Sequence, residues 1–88
     1  MTLEDLTEII EEKRNKNEDK IVFTYYEMRV KQNLSPEELE KVLELVTNYL
    51  INNGYNIYRE KEEYEYQGKA KKVESNEVLV AIKDKNIK

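Results

Sequence analysis

The sequence predicts an α+β domain of three helices, a short strand and a C-terminal β-hairpin that forms a wing or arm. Three observations support this fold class. The stretch Pro36–Asn52 has apolar residues at helical spacing. Helix-capping residues stand before this stretch and before two earlier stretches of the chain. The C-terminal half alternates apolar with polar residues as strands do. Helices therefore dominate the first half of the chain and strands the second.

The first predicted helix begins after Thr2, whose hydroxyl can accept a hydrogen bond from a free backbone N–H. Asp5 lies in an acidic first turn, which favours a helix start. Apolar residues then recur on one face of this helix: Leu3, Leu6, Ile9 and Ile10. We expect the helix to fray near residues 15–17 and a short strand to follow at residues 21–23.

Thr24 and Glu27 have the spacing of a capping box, which predicts a second, short helix over residues 25–32. This helix is expected to bury Met28 and one of its two tyrosines. Ser35, Pro36 and Glu38 then give a stronger helix start, with serine as N-cap, proline at the first position and glutamate completing the box. The two signals predict a helix-turn-helix arrangement.

The third helix is predicted over Pro36–Asn52 and is expected to end at Gly54, a residue that adopts the left-handed conformation readily. Its apolar residues form one wide stripe that faces the core: Leu39, Val42, Leu43, Val46, Tyr49 and Leu50. This is the best-defined element of the prediction.

The remaining sequence predicts strands. One strand begins at Tyr55, and the last covers residues 78–82, where Val78, Val80 and Ile82 share a face. Between them, residues 60–74 are predicted to form a β-hairpin arm that projects from the core and turns at Gln67 and Gly68. A single domain over residues 1–88 is expected, with this arm as its one extension.

Composition argues against catalysis. The chain has no cysteine and no histidine, which removes the commonest nucleophile, general base and metal ligand in proteins. Glu62, Glu63 and Glu65 lack the Asp, Asn and Gly spacing of a calcium loop and are better explained as a solvated face. We therefore expect no enzyme activity, no cofactor and no metal.

The hydropathy pattern predicts a cytoplasmic protein with no membrane partner. No stretch approaches the roughly 20 apolar residues of a membrane-spanning helix, and the acidic first residues differ from the basic start of a signal peptide. The net charge is −4. Acidic residues concentrate on the predicted helices and basic residues toward the C-terminal end.

The order of elements and the Thr24 cap, the Asn33-Leu34-Ser35 turn and the Asn53-Gly54-Tyr55 helix end resemble the winged helix-turn-helix fold. That resemblance implies a DNA-binding role for the helix after the turn. This helix departs from the pattern because its exposed positions carry four glutamates, which would repel a phosphate backbone: Glu37, Glu38, Glu40 and Glu44. Groove reading by this helix is therefore not expected.

Binding to a protein partner is the function that the sequence favours. In size, acidity and lack of catalytic groups, the chain resembles small phage-encoded inhibitors of host defence, including anti-CRISPR proteins, which implies that it regulates or inhibits a partner such as a nuclease. The expected contacts are tyrosines on and beside the arm, Tyr58, Tyr64 and Tyr66. Carboxylates of the third helix, Glu37, Glu40 and Glu44, are expected to meet basic groups that normally bind phosphates.

The main alternative is a DNA-binding transcriptional regulator, with a homodimer presenting two basic patches. It would contact DNA weakly through basic residues of the short helix and the arm: Arg29, Lys31, Lys69, Lys71 and Lys72. A simpler explanation of the arm lysines is that glutamates on the opposite strand of the hairpin neutralise their charge. A third alternative is an assembly subunit whose arm adds to the edge of a partner's sheet.

Overall fold

A computed structural model describes residues 2–84 of the 88-residue chain. In chain order its elements are α1 (Leu3–Lys16), β1 (Lys20–Thr24), a π-helix (Tyr26–Lys31), α2 (Pro36–Asn52), β2 (Tyr55–Tyr58), β3 (Glu63–Tyr66), β4 (Lys69–Lys72) and β5 (Glu77–Lys83). The α+β class agrees with the prediction. The two ends of the predicted domain, Met1 and residues 85–88, lie outside the described residues.

Both α-helices begin with complete capping boxes. The Thr2 hydroxyl accepts from the Asp5 N–H at 3.1 Å while the Asp5 carboxylate accepts from the Thr2 N–H at 3.3 Å. Ser35 and Glu38 make the same reciprocal pair at 3.2 and 3.0 Å. Each box satisfies two N–H groups that the first turn of a helix leaves unpaired, which explains why both helix starts were predictable.

The three-stranded sheet is antiparallel, with β5 between β1 and β2. One face of this sheet packs against α1 and α2 and includes Ile21, Phe23 and Leu79, all at most 1% exposed. Side chains alternate between the two faces of a strand, so Val22 and Val80 point to the opposite face. The helices and this sheet together enclose the larger of two hydrophobic clusters.

Strands β3 and β4 form a second, two-stranded sheet joined by a tight turn at Gln67 and Gly68. Both turn residues have positive φ, 53° and 75°, which matches the right-handed twist of a β-hairpin. The hairpin lies on the second face of the main sheet, where Tyr64, Val73 and Val80 form the smaller hydrophobic cluster. The main sheet is therefore a middle layer between helices and hairpin.

The predicted C-terminal hairpin is wrong. The final strand β5 is the centre of a three-stranded sheet and pairs with both β1 and β2, while the hairpin is internal and made of β3 and β4. The physical reason is the apolar run from Val78 to Ala81, in which every residue is at most 1% exposed. A strand that is apolar on both faces must be covered on both faces, whereas the prediction considered only the face that carries Val78, Val80 and Ile82.

The expected projection of residues 60–74 from the core also differs from the structure. Tyr64 is 7% and Val73 is 2% exposed, because both side chains cover the second face of the main sheet. The opposite side of the hairpin is solvent-exposed and carries Glu63, Glu65 and Lys72. The arm is thus a packed layer with one free surface.

Candidate binding surfaces

Three exposed apolar side chains lie close together in sequence at the start of and within the six-residue π-helix. Tyr25, Tyr26 and Val30 are 41%, 62% and 60% exposed, whereas Met28 is fully buried. The hydrogen bond from the Gln32 N–H to the Glu27 carbonyl at 2.9 Å has the five-residue spacing of a π-helix. Exposed apolar side chains therefore lie at the start of this helix and near its end.

We call the exposed side of this helix, together with the N-cap residue Tyr25, the π-helix surface; its members are Tyr25, Tyr26, Arg29, Val30 and Lys31. The Lys31 ammonium lies 6.0 Å from the centre of the Tyr26 ring, which is within cation–π range. Arg29 and Lys31 are both exposed. The surface therefore combines two aromatic rings, an aliphatic side chain and two cations.

The only carboxylate of the π-helix turns away from this surface. Glu27 forms an ion pair with Lys13 of α1 at 2.8 Å. The predicted capping box is thus half formed: the Thr24 hydroxyl accepts from the Glu27 N–H at 3.2 Å, and the Glu27 carboxylate meets α1. With Glu27 paired to Lys13, the π-helix itself has no carboxylate left to neutralise Arg29 and Lys31.

A second candidate surface lies beside the hairpin. Four lysines line an open groove of about 820 Å³, which we call the lysine groove: Lys20, Lys61, Lys71 and Lys72. The Tyr64 ring forms part of one wall, and the Lys20 ammonium lies 5.3 Å from the centre of that ring and 5.1 Å from the centre of the Tyr66 ring. Glu74 and Glu77 also line the groove.

The tyrosines predicted to bind a partner lie mainly inside the molecule. Tyr58 and Tyr64 contact each other with ring centres 5.5 Å apart, and Tyr64 is buried. Tyr66 is half-buried, and its hydroxyl accepts a hydrogen bond from the Asn17 side chain at 3.3 Å. These contacts attach the hairpin to the main sheet and to the end of α1.

The predicted charged residues occupy three separate places. Glu37, Glu40 and Glu44 are exposed at successive turns of α2, and Glu40 lies 3.9 Å from Arg59. Arg29 and Lys31 belong to the π-helix surface. Lys69, Lys71 and Lys72 are exposed on β4, and Lys71 and Lys72 also line the lysine groove.

Sequence reasoning missed the exposed rings of the π-helix and two lysines of the groove. One of the two tyrosines Tyr25 and Tyr26 was expected to be buried, and both are instead exposed. Strand alternation could have placed Lys20 on the face of β1 that points away from the buried Ile21 side chain. That the hairpin covers this face depends on contacts between residues distant in sequence. Lys61 lies in the β2–β3 connection and has a positive φ of 63°. Such a connection has no periodic sequence pattern from which the position of its side chains could be predicted.

Residues 2–84 contain neither a metal-binding cluster nor a membrane-spanning helix. No group of acidic side chains there has an arrangement that could hold a metal ion. None of the helices in this part of the chain has the length and apolar character needed to cross a membrane. Comparison with protein-family models, with curated proteins and with solved structures finds no match to the chain.

Proposed function

We propose that the chain is a non-catalytic protein-binding module that docks on its partner through the π-helix surface. One observation carries this proposal: Tyr25, Tyr26 and Val30 are each at least 41% exposed at the start of or within one short helix, although the protein has buried cores on both faces of its sheet. Clustered exposed apolar residues mark interaction sites more often than scattered ones do. Lacking cysteine and histidine, the chain would act by occupying its partner's surface.

The composition of the π-helix surface indicates the chemistry of the partner. Tyrosine and arginine are enriched among the residues that contribute most to protein–protein binding, and a ring beside a cation offers both apolar contact and charge. Because Glu27 pairs with Lys13, Arg29 and Lys31 have no acid on their own helix to neutralise them. The matching partner surface is apolar at its centre and carries carboxylates at its edge.

The π-helix is held in place before any partner binds. The Tyr25 N–H donates to the Asn76 carbonyl at 3.0 Å, which ties the helix start to the loop before β5. The Lys13–Glu27 ion pair ties it to α1, and the buried Met28 side chain ties it to the core. Such preorganisation supports the proposal because little conformational entropy is lost when a rigid surface binds.

The exposed acidic row of α2, Glu37, Glu40 and Glu44, forms a second part of the same proposal. It would meet basic groups of the partner outside the apolar contact, where charge affects the association rate more than the affinity. A module of this kind regulates or inhibits by blocking a surface. The cysteine-free sequence suits a reducing compartment, so the proposal places this binding in the cytoplasm.

A pair of matched double variants tests the docking surface. Tyr26→Ser with Val30→Ser removes two exposed apolar side chains from the π-helix surface, and Leu45→Ser with Ile51→Ser removes two that are 47% and 53% exposed on α2. Immobilised wild type is expected to capture a partner from lysate of its natural host. The first pair should weaken capture by about 30-fold, because losing a binding hot spot costs about 2 kcal/mol; the control pair should not.

Thermal melting and sedimentation accompany this experiment. Both double variants should unfold within a few degrees of wild type, since none of the four side chains is buried. Equal capture by the π-helix variant and wild type would refute the proposed surface. A wild-type homodimer that the Tyr26→Ser and Val30→Ser changes dissociate would show that the surface binds a second copy, which also contradicts the proposal.

A further inference from the structure

The lysine groove brings together positive charges from separate parts of an acidic protein. Lys20 comes from the start of β1, Lys61 from the β2–β3 connection, and Lys71 and Lys72 from β4. The chain as a whole has a net charge of −4, so four lysines around one groove are a local reversal of sign. A concave basic surface focuses the electrostatic field and concentrates anions.

The two glutamates of the groove offset this charge only in part. One Glu77 carboxylate oxygen accepts a hydrogen bond from the Glu74 N–H at 2.8 Å, so this side chain also serves the turn before β5. Lys20 is held over the Tyr64 and Tyr66 rings, which fixes one positive charge at the wall of the groove. Lys71 is the cross-strand neighbour of Tyr64 and therefore lies on the same side of the hairpin as that ring.

The size of the groove and a ring beside it favour a single nucleic-acid strand as its ligand. An open hollow of about 820 Å³ has room for a few linked units of a polymer. An adjoining hollow shares Lys61, Glu74, Ser75 and Glu77 with the groove and is also lined by Glu60 and the exposed Tyr25 side chain. Bases that leave the groove on this side would reach an aromatic face on which to stack.

We propose that the lysine groove binds the sugar–phosphate backbone of single-stranded nucleic acid. The lysine ammonium groups pair with successive phosphates as mobile point charges, which makes binding independent of sequence and sensitive to salt. The Tyr25 ring contributes sequence-tolerant stacking at one end. This site shares Tyr25 with the π-helix surface, but its lysines lie outside that surface, so it extends the function beyond the proposed protein partner.

Fluorescence anisotropy with a labelled 12-nucleotide oligo(dT) tests this site. Lys61→Gln with Lys71→Gln removes two exposed groove lysines, and Lys16→Gln with Lys41→Gln makes the same change in net charge on the helices. At 50 mM salt wild type should bind with a Kd on the order of 10 µM, typical of sequence-independent binding. The groove variant should bind at least 10-fold more weakly and the control variant less than 3-fold more weakly.

Salt titration gives a second readout. Each single-strand phosphate contact contributes about 0.7 to the slope of log affinity against log salt, so losing two contacts should reduce that slope by about 1.4. Binding that is absent at 50 mM salt, or that falls equally in both variants, would overturn the proposal. Tighter binding to a duplex of the same length, or displacement of oligo(dT) by polyglutamate at equal charge concentration, would overturn it as well.

The Tyr26→Ser with Val30→Ser variant separates this inference from the proposed docking function. It leaves all four groove lysines and Tyr25 in place, so its affinity for oligo(dT) should equal that of wild type. Loss of partner capture with retained oligonucleotide binding supports both sites independently. Loss of oligonucleotide binding in this variant would contradict the assignment of the site to the groove.

Discussion

At the scale of single residues, burial gives chemically identical side chains different roles. Tyr26 is 62% exposed on the π-helix, whereas Tyr64 is 7% exposed beneath the hairpin. Tyr64 packs on Tyr58 and belongs to a cluster with Val73 and Val80. We therefore assign Tyr26 to partner binding and Tyr64 to stability, the reverse of what the sequence alone favours for Tyr64.

Replacement of Tyr64 by alanine tests this assignment. Tyr64→Ala should reduce the free energy of unfolding by about 3 kcal/mol, because it removes a large buried ring and leaves a cavity. Tyr26→Ala is the matched control and should change that free energy by less than about 0.5 kcal/mol, as exposed substitutions usually do. Urea denaturation monitored by circular dichroism measures both. A Tyr64→Ala protein as stable as wild type would show that the ring does not hold the hairpin.

At the scale of elements, local signals were predictable and signals that depend on distant contacts were not. Helix α2 has the predicted bounds, Pro36–Asn52. Its N-cap, its apolar stripe and the Gly54 turn all lie within the helix or next to it in sequence, so local patterns predict it. The second helix begins near its predicted cap but is a π-helix, and Glu27, which was expected to complete the capping box, pairs instead with Lys13 of α1. Propensity within the segment could not reveal a contact with another helix.

The two capping boxes predict how stability depends on pH. Hydrogen bonds from the Thr2 and Ser35 backbone N–H groups, more than those from their hydroxyls, lower the pKa of Asp5 and of Glu38 below the ordinary values of 3.8 and 4.5. A lowered folded-state pKa means that the stabilisation is present above the ordinary value and is lost as pH falls through the lowered one. The melting temperature should therefore decline below about pH 4.5.

Glu38→Gln is the informative variant for this dependence. The amide can still accept from the Ser35 N–H but does not titrate, so the decline of melting temperature from pH 5 to pH 3 should become shallower. Glu37→Gln is the matched control, because Glu37 is equally exposed on the same turn and lies outside the box. Identical pH profiles for Glu38→Gln and wild type would show that the box does not contribute to acid sensitivity.

At the scale of the whole molecule, the sheet is covered on both faces, and this arrangement decides which surfaces remain free. The helices cover the face of the sheet that carries Ile21 and Phe23. The hairpin covers the other face with its Tyr64 side chain and with Val73. The predicted projecting arm assumed a sheet with one apolar face. The run of buried residues from Val78 to Ala81 is the sequence signal that could have corrected this assumption.

The same arrangement explains why the binding surfaces were harder to predict than the fold. The π-helix surface depends on which side of a short helix faces the core, and the lysine groove assembles residues from β1, β4 and a connection between strands. Periodicity identifies a buried face within one element. It cannot identify a surface shared by elements that are far apart in sequence.

The proposal that a protein partner binds at the π-helix surface can be tested by site-specific photo-crosslinking. A photoreactive phenylalanine analogue replaces Tyr26 in one protein and Ile51, an exposed residue of α2, in another. After irradiation in host lysate, the position 26 protein should form one dominant covalent adduct with a different protein, and the position 51 protein should not. The same adduct from both positions, or an adduct of the chain with its own copy at position 26, would contradict the claim.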